Sequence, residues 1–152
     1  IDMRKPEGMA KVMYSSGGSD AVETALKLAR QYWKAVGEAQ RYKFISLKQG
    51  YHGFHFGGDL LTVTPYSVLT TSLCCQDVSI SIPPWLYRNP WNCEDPEELG
   101  RLAAAQLEAE IVFQGPDTVA AFIAEPIQGA GGVIVPPAAT PMQSQRLLYA
   151  KE

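Results

Sequence analysis

Hydrophobic residues return at helical spacing between Ala21 and Trp33: Ala21, Ala25, Leu28, Ala29 and Tyr32, with Val22, Leu26 and Trp33 beside them. This pattern predicts an amphipathic helix with a wide apolar stripe. Asp20 and Glu23 have the spacing of a capping box, which places Asp20 at the cap. Gly37 is the predicted stop, and Lys34 lies near the negative end of the helix dipole. Upstream, Val12, Met13 and Tyr14 predict the end of a buried strand, and Ser15 to Ser19 a small glycine-rich turn. Strand, glycine turn and helix start together gather unpaired amides at the positive end of a dipole, where an anion binds well. Two readings of Gly17, Gly18 and Ser19 stand side by side: a plain tight turn, and a cup for a phosphate. No Gly-Lys-Ser/Thr follows and the glycines do not read GxGxxG, so a nucleotide has no specific support.

Further on, the apolar run Phe44-Ile45-Ser46-Leu47 predicts a buried strand. The loop Gln49-Gly50-Tyr51-His52-Gly53 follows, rich in side chains that stack or hydrogen-bond. Residues 60–87 carry one charge, Asp77, and are dense in Ser, Thr and β-branched residues with Pro65, Pro83 and Pro84. Irregular strands and loops are expected there, and such stretches aggregate when exposed. Asp95-Pro96-Glu97-Glu98 is a helix start, with the helix running to about Phe113 and stopping at Gly115-Pro116. Val119 to Ala124 reads as a fully buried strand that delivers Glu125 to its C-terminal end. Open α/β sheets place ligands at that end, although a carboxylate there also serves as a structural cap or ion-pair partner. The loop Gln128 to Gly132 and the apolar Val133-Ile134-Val135 come next. Alternating strands and helices give an α/β fold with a parallel sheet, helices on its faces and right-handed crossovers.

Length and composition narrow the partners. The 152 residues make one domain or part of one, with 46% hydrophobic and 19% charged residues. A net charge of −3 argues against binding nucleic acid by neutralising phosphates. No apolar run reaches membrane-spanning length and no signal peptide is visible, so no membrane partner is expected. Ile1 in place of methionine points to sequence upstream. Cys74, Cys75 and Cys93 have no metal-ligand spacing and suit a reducing, cytoplasmic setting. His52 and His55 are three apart, but Gly53, Gly57 and Gly58 argue against a helix there and no third ligand is apparent. No metal site is expected.

Three stretches, in order and at matching separations, resemble one family: YSSGGSDAVETALKLAR, the pair GYHG and DPEELG, and DTVAAFIAEPIQGAGGVIVPP. The family is the class III (ω-amino acid) aminotransferases, which carry pyridoxal 5'-phosphate. The resemblance covers about two thirds of the chain. It implies part of the large domain of the type I pyridoxal-phosphate transferase fold, a three-layer sandwich around a mostly parallel sheet, and residues 1–152 as a fragment of that domain. It implies that Gly17, Gly18 and Ser19 hold the cofactor phosphate through backbone amides and a hydroxyl. Many relatives have serine at the position of Gly17. Tyr51 matches the aromatic that stacks on the pyridine ring, with His52 and Gly53 supporting its loop, and Glu125 matches the acidic residue beneath the cofactor. Ala130 stands where ornithine- and aminobutyrate-type relatives carry a glutamate, as it does in the pyruvate-using ω-aminotransferase branch. The implied substrates are small amines or ω-amino acids and a keto acid such as pyruvate, and the implied assembly is a homodimer.

The chain departs from the family pattern over residues 59–82 and 138–152. It has no aspartate after Asp117 and no lysine after Lys48 except Lys151. The family's Schiff-base lysine and the aspartate that binds the pyridine nitrogen are therefore both expected to be missing from this segment, which leaves it inactive alone. A module that holds the cofactor without chemistry and a non-functional truncated product are the rival expectations.

Overall fold

The computed structural model describes residues 11–62 and 77–137. Its elements are α1 (Gly18–Ala35), β1 (Lys43–Leu47), α2 (Phe56–Leu61), β2 (Val78–Ser81), α3 (Pro96–Gln114), a 3-10 turn (Pro116–Thr118) and β3 (Val119–Phe122). The three strands form one parallel sheet in the order β2-β1-β3. Phe44 lies opposite Val78 and Ala121, and Ile45 opposite Ser79 and Phe122.

Register assigns the layers, because facing residues of neighbouring strands share a face. Phe44, Leu61 and Ala120 are buried together, and Leu26, Ala29 and Trp33 of α1 pack on them. Trp33 Nε1 also donates to Ala120 O at 2.7 Å. On the Ile45 face, Ser79 Oγ donates to Glu110 of α3, and Gln114 Nε2 donates to the same carboxylate at 2.9 Å. Helices therefore cover both faces of the parallel sheet, α1 and α2 on one and α3 on the other. This is the expected α/β architecture and a partial three-layer sandwich. Such a sheet is dry on both sides, which explains why Phe44, Ile45, Ser46 and Leu47 are all buried rather than alternating.

Local chemistry sets most boundaries. Asp95 caps α3 as expected, its Oδ1 accepting from Glu97 N (2.7 Å) and Glu98 N (3.0 Å), and Gly115 ends the helix with φ +87. Gly37, at φ +91, follows the end of α1. Four expectations need correction. Val12 to Tyr14 are not a strand, and all three are exposed. Asp20 does not cap α1: Gly17 is the N-cap and Asp20 lies inside the first turn, where its carboxylate accepts from Ser16 Oγ instead. Gly57 and Gly58 do not prevent a helix, since α2 runs through both. The strand expected to be fully buried over Val119 to Ala124 is β3, ending at Phe122, and within it only Ala120 is buried. The order β2-β1-β3 leaves β3 at the edge among the described residues, which is why its other side chains stay partly exposed. Of the stretch 59–82, residues 63–76 lie outside the described residues, while Val78–Ser81 forms β2. Residues 138–152, Lys151, Cys74 and Cys75 also lie outside them. Cys93 is free.

Candidate active site

Parallel strands all point their C-terminal ends the same way, and two loops leave the sheet together at that edge: Lys48 to His55 after β1, and Ile123 to Gln128 after β3. The start of α1 meets them there. Gly53 makes the junction. It has φ +98, and a Cβ built on it would lie 2.5 Å from Ser19 Oγ and 3.0 Å from Ser19 Cα. Only glycine satisfies both the conformation and the approach. Ser19 Oγ then accepts the Phe54 N–H at 3.4 Å. As an acceptor in that bond, the hydroxyl keeps its own proton free to donate.

Glu125 joins the other two segments. Its Oε1 accepts from Tyr51 N at 2.7 Å and its Oε2 from Gly129 N at 3.0 Å. The structural reading of Glu125 is met: the carboxylate pins two backbone loops at the sheet edge. Tyr51 is 36% exposed and packs edge-on against Phe54, ring centroids 5.4 Å apart. His52 is buried and donates its backbone N–H to Thr62 Oγ1 at 2.9 Å. Burial holds its imidazole below the ordinary histidine value, and the nearby Glu125 charge only partly offsets that.

Two features escaped the sequence reading. Gln128 is 3% exposed, and its Nε2 donates to Lys48 O at 3.0 Å, tying the β3 loop back to β1. Its backbone exchanges two bonds with Ile134 to close the Gln128 to Ile134 turn. A glutamine between Ile127 and Gly129, in an otherwise apolar and glycine-rich stretch, was the available signal. Glu23, taken as half of a capping box, instead reaches across to α2 and accepts Gly57 N at 3.0 Å. The two histidines do not converge, since His55 Nδ1 faces Asp20 Oδ1 at 3.4 Å. Among the described residues no group of three or more His, Cys, Asp or Glu side chains is placed to hold a metal, and no helix is long and apolar enough to cross a membrane.

A phosphate fits the start of α1. Gly17 has extended backbone (φ −169, ψ 174) that any residue adopts, and a Cβ at Gly17 or Gly18 would touch nothing within 4 Å. Neither the turn nor packing within the chain asks for glycine at these positions. Bare backbone there leaves the amides open to an anion approaching from outside. The buried His52 Nε2 and Gln128 Oε1 have no hydrogen-bond partner among the described residues. A separate cleft of about 380 Å³ runs beside α1, lined by Ser16, Asp20, Glu23, Lys27 and His55 among others.

A family model for class III aminotransferases matches residues 3–148. Putrescine–pyruvate aminotransferase of Pseudomonas aeruginosa is 40% identical over 139 residues, covering 87% of this chain and 29% of that protein. Diaminobutyrate–2-oxoglutarate transaminase of Halomonas elongata is 39% identical, covering 86% and 28%. Among solved structures, a pyridoxal-phosphate-bound amine transaminase from an uncultivated Pseudomonas species is 52% identical with a TM-score of 0.84, covering 89% of this chain and 31% of that one. The ω-transaminase of Pseudomonas jessenii superposes with a TM-score of 0.87 at 35% identity, covering 95% and 32%. The chain thus spans under a third of the length of these relatives.

Proposed function

The chain belongs to the class III aminotransferases, a pyridoxal-phosphate-dependent family, and on that premise we propose that residues 1–152 are part of the cofactor-binding large domain of an amine:pyruvate aminotransferase. One observation carries the reading: the α1 start, the Tyr51 loop and Glu125, far apart in sequence, are fastened to one another at the C-terminal edge of the sheet. In this proposal the amides of Gly17 to Ser19 and the Ser19 hydroxyl hold the phosphate. Tyr51 offers a ring face, Gly53 permits the approach of its loop, and His52 buttresses that loop from below. Glu125 holds the loop in place and keeps negative charge beneath the ring. When bound, pyridoxal phosphate supplies an electron sink for loss of the proton beside the amino group. Ala130, exposed beside the Gly129 amide that Glu125 holds, offers no carboxylate at this edge, and its resemblance to the pyruvate-using branch supports pyruvate as acceptor. The homodimer and a cytoplasmic setting belong to the proposal for the whole protein.

Chemistry needs a lysine at the cofactor, and Lys27 and Lys43 are engaged elsewhere. Lys27 pairs with Glu23 at 3.5 Å, and Lys43 Nζ donates to Gln114 O at 2.7 Å, at the opposite end of the sheet. Residues 1–152 taken alone should therefore hold the cofactor weakly and transfer no amino group. The test is to add pyridoxal phosphate, reduce with borohydride and map pyridoxyl-lysine by mass spectrometry, with pyruvate and 2-oxoglutarate compared as acceptors. Scattered, substoichiometric labelling that phosphate does not suppress, with saturable cofactor binding that phosphate does suppress, is expected. One stoichiometrically labelled lysine with transfer to pyruvate would overturn the inactivity claim. Binding without saturation would overturn the cofactor reading.

A further inference from the structure

Successive turns of α1 present Ser19 and Glu23 on one face, and both accept backbone amides of the segment that carries Tyr51. Ser19 Oγ takes Phe54 N at 3.4 Å and Glu23 Oε2 takes Gly57 N at 3.0 Å. The second contact is the shorter and employs a charged acceptor, which makes it the stronger of the two. It is also closely packed: a Cβ on Gly57 would lie 2.8 Å from Glu23 Oε2 and 2.9 Å from Leu26 Cδ1. One residue further, a Cβ on Gly58 would lie 2.4 Å from His52 O, so α2 presses directly on the backbone of the Tyr51 loop. Displacement of α2 from α1 is thus transmitted to His52 and Gly53. One other polar contact joins the first turn of α1 to α2 among the described residues: His55, the N-cap of α2, has Nδ1 3.4 Å from Asp20 Oδ1, a longer and more exposed contact than that of Glu23. The partly shielded Glu23 carboxylate gains little from Lys27, whose side chain is largely exposed.

We propose that Glu23 is a positioning residue for the cofactor site: by holding the Gly57 amide it sets the Tyr51 loop against the α1 amide cup. The inference rests on the cofactor reading above but predicts a loop effect measurable without cofactor. In Glu23→Ala, amide hydrogen exchange over residues 52–57 should accelerate at least tenfold, the scale of one hydrogen bond to a charged group. Affinity for pyridoxal phosphate should fall about tenfold, while affinity for inorganic phosphate, which needs only the cup, stays unchanged. Glu23→Gln keeps an oxygen acceptor and should restore most of both effects, and Lys27→Ala should do nothing. Gly57→Ala, which pushes α2 away with Glu23 intact, should reproduce the loop exchange and cofactor loss even if Glu23→Ala proves unstable. Unchanged exchange over 52–57 in both Glu23→Ala and Gly57→Ala overturns the proposal, whatever the cofactor does. Faster exchange with unaltered pyridoxal phosphate affinity overturns the positioning role. Equal loss of phosphate and cofactor affinity in all variants points to general unfolding and overturns it too. A wild-type chain that exchanges slowly over 52–57 yet binds no pyridoxal phosphate removes the cofactor reading, and this inference with it.

Discussion

Gly53→Ala is the most demanding single-atom test of the site. A non-glycine residue at φ +98 costs about 1–3 kcal/mol in backbone strain. The added methyl would also sit 2.5 Å from Ser19 Oγ and 3.0 Å from Ser19 Cα. The second contact is to backbone, so a rotamer change cannot relieve it, and overpacking of this kind costs about 1–3 kcal/mol. The sum, about 2–6 kcal/mol, is a large share of the roughly 5–15 kcal/mol that stabilises a native domain. Gly17→Ala is the matched control. Its backbone is already extended and its methyl meets open space, so only the cap preference is lost, under about 1 kcal/mol. Urea unfolding followed by tryptophan fluorescence should show a clear drop in midpoint for Gly53→Ala and little change for Gly17→Ala. Phosphate affinity should rank the other way per unit of stability lost, because the Gly17 methyl intrudes where the ligand approaches. A Gly53→Ala midpoint within about 0.5 kcal/mol of wild type, the ordinary range for a surface substitution, would refute the close approach of the loop to Ser19.

Glu125→Ala leaves the exposed amides of Tyr51 and Gly129 to water and should cost about 1–2 kcal/mol. Glu125→Gln should recover much of this in the same unfolding assay. Tyr51→Ala should leave stability nearly unchanged and weaken cofactor retention by about 1 kcal/mol, roughly fivefold, in equilibrium dialysis. His52 titrates below its ordinary value of 6.5 because it is buried, so the unfolded chain binds the proton first. Stability should be complete above about pH 6.5 and decline as pH falls from there towards the lowered folded-state value. His52→Gln should flatten that part of the pH–midpoint curve. Asp95→Ala should lower the unfolding midpoint and Asp95→Ser should largely preserve it, since serine also caps the free amides of α3.

Signals that act within a few residues were legible in the sequence. Asp95 caps α3 because its carboxylate reaches amides two and three positions on, and no distant group competes for it. The same spacing misled at Asp20 and Glu23 because other partners won both side chains, the upstream Ser16 and the distant His55 at one and the distant Gly57 at the other. Val12 to Tyr14 carried a burial signal that nothing in the described structure satisfies. Gly57 and Gly58 weaken an isolated helix by about 1 kcal/mol each, yet any side chain there would strike Glu23, Leu26 or His52. Packing, not propensity, chose glycine in α2. Of the candidate site, the motif residues Gly17, Gly18, Ser19, Tyr51, His52, Gly53 and Glu125 do gather at one sheet edge. The contacts that fasten them, Ser19 to the Gly53–Phe54 segment and Glu125 to Gly129, join backbone positions with no pattern in the one-dimensional chain.

The strand order also constrains when this part of the protein can form. β1 is central and both of its neighbours are made after it: Phe44 waits for Val78 on one side and Ala121 on the other. During synthesis, α1 and β1 emerge with apolar faces and unpaired edges that no local partner covers. The three described strands are paired only once β3 has left the ribosome. Such non-local pairing folds slowly and leaves aggregation-prone surface exposed meanwhile. Ribosome-stalled chains ending before Val119 should accordingly engage chaperones, and chains extended well past Glu125 should resist protease at the β1 segment.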